Sequence, residues 1–137
     1  MKIALVGIGK IAEAQHVPAL AASPDWDLAA TASHHGRVEG VEAFTDIADL
    51  LAQRPDIDTI SLALPPVPRF DVARQVLAAG RNLMLEKPPG ATLAEVQILR
   101  DMAAAQGVTI FASWHSRYAP AVEAARRPPR RRGCGGG

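Results

Sequence analysis

A doubly wound α/β fold, with helices on both faces of a parallel sheet, is predicted by three features of this 137-residue sequence. Short apolar runs alternate with segments of helical periodicity along residues 1–125, and the first run ends in a glycine turn. The run Thr59–Leu64 carries no charge, as a strand covered on both faces requires. Parallel neighbours need crossovers, and right-handed helical crossovers dominate. The length fits one domain, and a hydrophobic content of 48% is enough to build its core, which excludes a disordered chain.

Lys2–Val6 is a buried strand stopped by Gly7 and Gly9, after which Ile11, Ala12, Ala14 and Gln15 open a helix. Pro18 has no N–H and crowds the preceding turn, so that helix bends or restarts there. Leu28–Ala32 makes the second strand and the polar stretch Ser33–Gly40 a loop. Asp46 caps a short helix that turns Ile47, Leu50 and Leu51 inward. Thr59–Leu64 is the central strand, ended by Pro65, Pro66 and Pro68. Pro68 suits the first turn of the next helix, whose apolar face is Phe70, Ala73, Val76 and Leu77 and whose stop is Gly80. Asn82–Leu85 follows as a strand. Thr92 and Glu95 have capping-box spacing ahead of Val96, Leu99 and Met102, Gly107 ends that helix, and Val108–Trp114 is the last strand.

Charge is divided along the chain. Residues 1–125 hold ten of the 15 basic residues and all 14 acidic ones, a net of −4, whereas Arg126, Arg127, Arg130, Arg131 and Arg132 supply the other five. A body of that sign offers nucleic acid no footprint. Cys134 is the lone cysteine, and His16, His34, His35 and His115 show no zinc spacing with it, so neither a disulfide scaffold nor a metal site is expected. The apolar start Ile3–Val6 is too short for a membrane span or a signal-peptide core, which points to a cytoplasmic protein without a membrane partner.

Gly7, Gly9 and Ala12 spell G-x-G-x-x-A between the first strand and the first helix. The first glycine permits the turn, the second lets backbone approach a pyrophosphate, and the small alanine lets helix meet strand. The helix start adds amide donors and a positive dipole end. These features predict a Rossmann-type NAD(P)-binding domain, with Gly7, Ile8, Gly9, Lys10, Ile11 and Ala12 around the phosphates. Leu64, Pro65 and Pro66, at the end of the central strand, border the same cofactor. A glycine turn of this kind also arises for purely structural reasons. Whether the cofactor is NAD or NADP depends on the end of the second strand, where a carboxylate would accept from the adenosine ribose. That stretch reads Ser33-His34-His35-Gly36-Arg37, with no carboxylate. Ser33, His34 and Arg37 there favour NADP or dual use, a solvated loop being the plain alternative for each.

In an open parallel sheet, ligands collect beyond the carboxyl ends of the strands, where Glu86, Lys87, Trp114, His115 and Arg117 also fall. Glu86-Lys87-Pro88 turns the chain where the four-carbon stem of a lysine can project over a cofactor, although an ordinary surface lysine looks the same in sequence. Together with the glycine turn, this tripeptide resembles the glucose-fructose oxidoreductase (Gfo/Idh/MocA) family of dehydrogenases over about residues 1–125. The longer strings M-K-I-A-L-V-G-I-G-K-I-A, L-E-K-P-P-G-A-T-L and W-H-S-R-Y-A-P-A-V-E are similar to its bacterial members that oxidise D-galactose or L-arabinose at C1.

The resemblance implies an NAD(P)-dependent oxidoreductase that passes hydride from the anomeric carbon of an aldose to the nicotinamide and leaves a lactone. It assigns Lys87 the catalytic place beside the nicotinamide and the reacting hydroxyl, and Glu86 the orienting of its surroundings. Trp114 is placed to stack on a sugar or nicotinamide face, or simply to pack, while His115 and Arg117 are placed to bond sugar hydroxyls or the pyrophosphate. His16, in the first helix, caps or packs.

Family members usually continue into a second α/β domain that covers the nicotinamide and completes the sugar pocket. Here a helical start at Pro120–Ala125 runs instead into residues 126–137, an Arg/Pro/Gly-rich stretch that reads as a disordered tail. A frameshifted gene end would give this composition, because alternate frames of GC-rich DNA are rich in Arg, Pro and Gly. A genuine basic tail, contacting nucleic acid or an acidic surface through its five arginines, is the other reading. On the first, the chain is a truncated sugar dehydrogenase, weakly active or inactive alone. The alternative function is a non-catalytic NAD(P)-binding sensor, which has no need of Lys87 at the hydride.

Overall fold

The computed structural model describes residues 1–114. Its strands are β1 (Lys2–Val6), β2 (Asp27–Ala32), β3 (Glu42–Phe44), β4 (Thr59–Leu62), β5 (Asn82–Leu85) and β6 (Ile110–Ala112). They form one parallel sheet in the order β3-β2-β1-β4-β5-β6. The chain runs outward from β1 to β3, returns to the other side of β1, and runs outward again to β6. That reversal leaves a crevice between the carboxyl ends of β1 and β4, the place where such sheets take ligands.

The predicted doubly wound sheet is present, with one strand more than the sequence suggested. Glu42–Phe44 pairs with β2 at the sheet edge, and three residues are too few to show a period of two. The central and last strands are shorter than expected, since pairing stops at Leu62 and at Ala112.

The first helical run begins at Lys10, widens to π pitch over Ala12–His16, and resumes as helix α1 (Val17–Ala22). Val17 donates to the carbonyl of Ala12, five residues back, and Pro18 falls in the first turn of α1, where no N–H is required. This is the restart that Pro18 predicted. Helix α2 (Ile47–Gln53) is capped by Asp46, whose Oδ1 accepts from the Ala48 amide at 2.7 Å. Helix α3 (Pro66–Ala78) carries both Pro66 and Pro68 in its first turn. In helix α4 (Leu93–Gln106) the cap Thr92 accepts through Oγ1 from Glu95 N at 3.2 Å, while Glu95 Oε2 reaches one residue past the cap and accepts from Ala91 N at 2.8 Å.

Helices α2, α3 and α4 cover one face of the sheet, where Ala4, Val6, Ile60, Leu62, Leu83 and Leu85 meet Leu50, Val76, Leu77 and Leu99. On the other face Leu5 packs with Ile8 and Ala12 of the glycine turn and first helix. Beside α1, that face holds a hollow of about 440 Å³ lined mainly by Met1, Ile3, Leu20, Trp26, Met84 and Phe111.

An ion network closes the amino ends of the strands. Arg54 donates to Asp56 through Nε and Nη2 at 2.9 Å each, and to the Ala29 carbonyl and the Glu42 carboxylate, while Lys2 Nζ reaches Asp56 at 2.6 Å. The hydrogen bonds from Arg54 and Lys2 hold the Asp56 carboxyl well below the usual carboxylate range. Among the described residues, no helix is long and apolar enough to cross a membrane. His115, Arg117, the helical start at Pro120–Ala125 and the tail 126–137 lie outside the described residues.

Candidate functional site

The crevice at the sheet reversal is a cleft of about 540 Å³ whose walls include Gly7, Ile8, Gly9, Ser33, Leu64 and Pro65. The end of β1 is tied to both neighbours there, with Gly7 N donating to Ala32 O of β2 and Ala63 N, after β4, to Val6 O, both at 2.9 Å. The two glycines of the turn answer different demands. Gly7 has φ +87°, and a Cβ there would lie 2.7 Å from Leu64 Cδ2, so the turn and its packing both require glycine. At Gly9 a Cβ would meet nothing within 4 Å.

The open backbone at Gly9 is a cradle that only a side chain or a ligand would fill, directly before the helical run. Glu13 N takes up the Gly9 carbonyl at 3.0 Å, and the amides ahead of it stand at the helix start, where no intrahelical acceptor exists. Donors of that kind match the chemistry of a pyrophosphate, so the residues present fit a dinucleotide. Ala12 is buried against Leu5 and Ile8, while Lys10 and Ile11 are exposed beside the turn.

On the far side of the cleft, Ser33 Oγ accepts from the amides of Ile8 at 3.2 Å, Gly36 at 3.3 Å and His35 at 3.4 Å. The hydroxyl thereby ties the loop after β2 to the glycine turn and keeps its own O–H to donate. Gly36 belongs to the same contact, since a Cβ there would lie 2.4 Å from the Ile8 carbonyl oxygen. The sequence named Ser33 but offered no reason to single out Gly36. His34 and His35 line the cleft with their rings edge to face at 6.3 Å, whereas Arg37 is exposed outside it. One wall was not foreseen: Thr45, Asp46, Ile47 and Ala48, at the end of β3 and the start of α2, line the cleft beside Ser33 and His34. Asp46 thus brings to the cleft a carboxylate that the stretch Ser33–Arg37 lacks.

Lys87 follows β5 in an exposed turn, joined to Pro88 by a cis peptide bond. The residue that fixes this turn is Arg69, which is only 3% exposed. Its Nε donates to the Leu64 carbonyl at 2.9 Å, Nη2 bonds the same oxygen, and Nη1 donates to the carbonyls of both Glu86 and Pro88. Desolvation lowers the pKa of this buried guanidinium, opposed by the charge of Glu86. Arg69 therefore links the wall of the cleft at Leu64 to the turn that carries Lys87. The signal for it was present in sequence: Arg69 stands four residues before Ala73, on the apolar stripe of α3, where an unpaired charge would be costly.

His16 neither caps nor simply packs. Its Nε2 lies 2.9 Å from Glu86 Oε1, across 70 residues of sequence, and Glu86 Oε2 accepts the Lys87 amide at 3.3 Å. Trp114 leaves the end of β6, beside β5, and is 65% exposed, so it is not a core side chain among the described residues. The structure thus gathers Gly7, Ile8, Gly9, Ser33, His34, Leu64 and Pro65 in one cleft and sets Glu86 and Lys87 in an adjoining turn. Pro66 stands behind Pro65 as the first residue of α3.

Known proteins share this outline. Residues 1–113 match the model of an oxidoreductase family described by its NAD-binding Rossmann fold. The galactose 1-dehydrogenase of Pseudomonas fluorescens is 42% identical over 128 residues, which is 92% of this chain and 40% of that protein. A crystal structure of the D-galactose-1-dehydrogenase protein from Rhizobium etli superposes with a TM-score of 0.87 at 53% identity, covering 90% of this chain and 40% of the other. GenD2 from gentamicin A biosynthesis, solved in complex with NAD, gives a TM-score of 0.82 at 28% identity over 91% of this chain and 37% of its own. The chain therefore spans about 40% of the length of the galactose dehydrogenases it matches.

Proposed function

Because this chain belongs to the oxidoreductase family with an NAD-binding Rossmann fold, we infer that it is the nucleotide-binding portion of an aldose 1-dehydrogenase acting on D-galactose or L-arabinose. The observation that carries this reading is the junction made by Arg69. An open glycine cradle suited to a pyrophosphate and a turn presenting a lysine are held together at the carboxyl edge of one sheet. The names and identities of the galactose dehydrogenases support the substrate class.

When bound, the nicotinamide would supply the acceptor for a hydride leaving C1 of the sugar. The chain's own residues would do the rest. Amides after Gly9 would hold the pyrophosphate, and Ile8, Leu64 and Pro65 would flank the dinucleotide. Lys87 Nζ would accept the C1 hydroxyl proton as the hydride leaves C1 and, then cationic, offset the negative charge on that oxygen before releasing the proton to solvent, so that C1 and its oxygen close to the lactone carbonyl. Trp114, on the neighbouring strand end, would offer an indole face to the sugar, with His115 and Arg117 of the next segment bonding its hydroxyls. The Ser33 O–H and Arg37 would suit a 2′-phosphate, whereas Asp46 would repel one and accept from a ribose hydroxyl, so dual use of NAD and NADP is the form of the reading the cleft supports. Residues 1–114 leave the lysine turn exposed, and catalysis needs proximity and exclusion of water, so slow or no turnover is expected of this chain alone.

The test supplies D-galactose, L-arabinose, NAD and NADP to the chain, and to a chimera joining residues 1–125 to the part of the Pseudomonas fluorescens enzyme beyond the match, while reduced nicotinamide is followed by absorbance. Nucleotide binding by the chain and sugar oxidation by the chimera, abolished by Lys87→Met, are expected. Tight nucleotide binding with no turnover of either sugar in the chimera would replace the enzyme by a sensor.

A further inference from the structure

The pair formed by His16 and Glu86 is not needed for the fold as the helices build it. His16 satisfies no helix end, since no side chain caps α1, and the hydrophobic core on that face closes through Leu5, Ile8 and Ala12. Yet the two side chains meet at 2.9 Å with only 11% and 23% of their surfaces exposed, so water screens the contact far less than it does a surface pair. With Nε2 carrying the proton, the ring donates to the carboxylate.

The helix is shaped to make this contact. His16 is the last residue of the π-pitched segment Ala12–His16, whose first residue is buried against β1. A π turn holds one residue more than an α turn and so rotates the next turn of helix by roughly 100° about the axis. Insertions of this kind in helices are concentrated at functional sites.

Glu86 passes the contact on. Its Oε1 faces His16, its Oε2 accepts the Lys87 amide, and the carbonyls of Glu86 and Pro88, on either side of Lys87, are held by Arg69. The Lys87 side chain makes no hydrogen bond or ion pair among the described residues, so where its amine can reach is set by the backbone of this turn. Arg69 holds the carbonyl end of the Glu86–Lys87 peptide unit and the Glu86 carboxylate takes up its N–H end.

We propose that His16 is a positioning residue for Lys87, acting through the Glu86 carboxylate that holds the Lys87 amide. The proposal rests on the reading of Lys87 as the group facing the reacting hydroxyl, but its first test needs neither nucleotide nor sugar. Amide hydrogen exchange is measured residue by residue in the full chain, with Leu5 of β1 as the reporter of global opening. His16→Ala is expected to accelerate exchange at Lys87 by about tenfold, or about 1.4 kcal/mol of local protection, with Leu5 unchanged. His16→Gln, which can still donate to Glu86, is expected to stay within about threefold of the parent. On a Glu86→Ala background His16→Ala should add nothing. Unchanged Lys87 exchange in His16→Ala, or equal acceleration at Lys87 and Leu5, overturns the proposal.

If His16→Ala does not fold, His16→Phe and His16→Gln, both of which fill the space, are compared. Faster Lys87 exchange in the phenylalanine variant alone supports the role, and identical behaviour of the two overturns it. In the chimera, His16→Ala should lower kcat about tenfold while the nucleotide KM moves less than about threefold, with His16→Gln restoring most of the loss. A chimera inactive with its native His16 counts against the dehydrogenase reading and leaves the exchange experiment to decide the role of His16.

Discussion

At the scale of single residues, the site separates glycines that the fold requires from a glycine that a ligand would require. Gly7 is held by its positive φ and by Leu64 at its back; Gly9 faces open space. Gly7→Ala should therefore lower the free energy of unfolding by about 2 kcal/mol or more. Gly9→Ala should leave stability within about 0.5 kcal/mol of the parent and weaken nucleotide binding by about tenfold. Urea unfolding and fluorescence titration with reduced nucleotide measure the two effects. A Gly9→Ala chain that binds as tightly as the parent would show that the pyrophosphate does not approach there. Arg69 belongs at this scale too, because one side chain joins two loops that β-strand pairing alone leaves independent.

At the scale of elements, the two ends of the sheet are built for different purposes. The carboxyl ends carry open turns, an exposed lysine and a cleft; the amino ends are tied by charge, through Lys2 at the start of β1, Glu42 at β3, and Arg54 and Asp56 between α2 and β4. Asp56 has a folded-state pKa depressed below its ordinary value, so the stability it contributes is present above the unfolded carboxylate pKa and is lost as pH falls. Melting temperatures taken between about pH 5 and pH 3, spanning an ordinary carboxylate pKa of about 3.9, should fall more steeply for the parent than for Asp56→Asn. Added salt should narrow that difference, because the pair is solvent-exposed. Parallel slopes for the two proteins would mean that the network contributes nothing to folding.

At the scale of the whole molecule, the described residues cover the sheet unevenly: among them three helices pack one face, and the other is covered only beside β1 and β2. The hollow over β1, β4, β5 and β6 exposes Phe111 by 55%, and an apolar concavity of that kind binds apolar dyes. Phe111→Thr should reduce the fluorescence of an apolar probe on the native chain without lowering its thermal stability; unchanged probe binding would place it elsewhere. The order of elements was legible in sequence because strands such as Asn82–Leu85 and helices bounded by Thr92 and Gly107 carry their own period, cap and stop. The glycine turn and Glu86-Lys87-Pro88 were legible for the same reason, as short strings whose conformation depends on local backbone. Short-range information ended where partners come from distant segments. Asp46 reaches the cleft only because β3 adds to β2, Arg69 matters only because β4 and β5 are neighbours, and His16 meets Glu86 only because β1 and β5 flank β4. The sequence by itself determined every element but β3, and the glycine turn and Glu86-Lys87-Pro88 that follow two of the strands, since these depend on residues within a few positions of one another. Only the tertiary structure decided which side chains hold Lys87, because that depends on contacts between segments up to 70 residues apart, which no local period records.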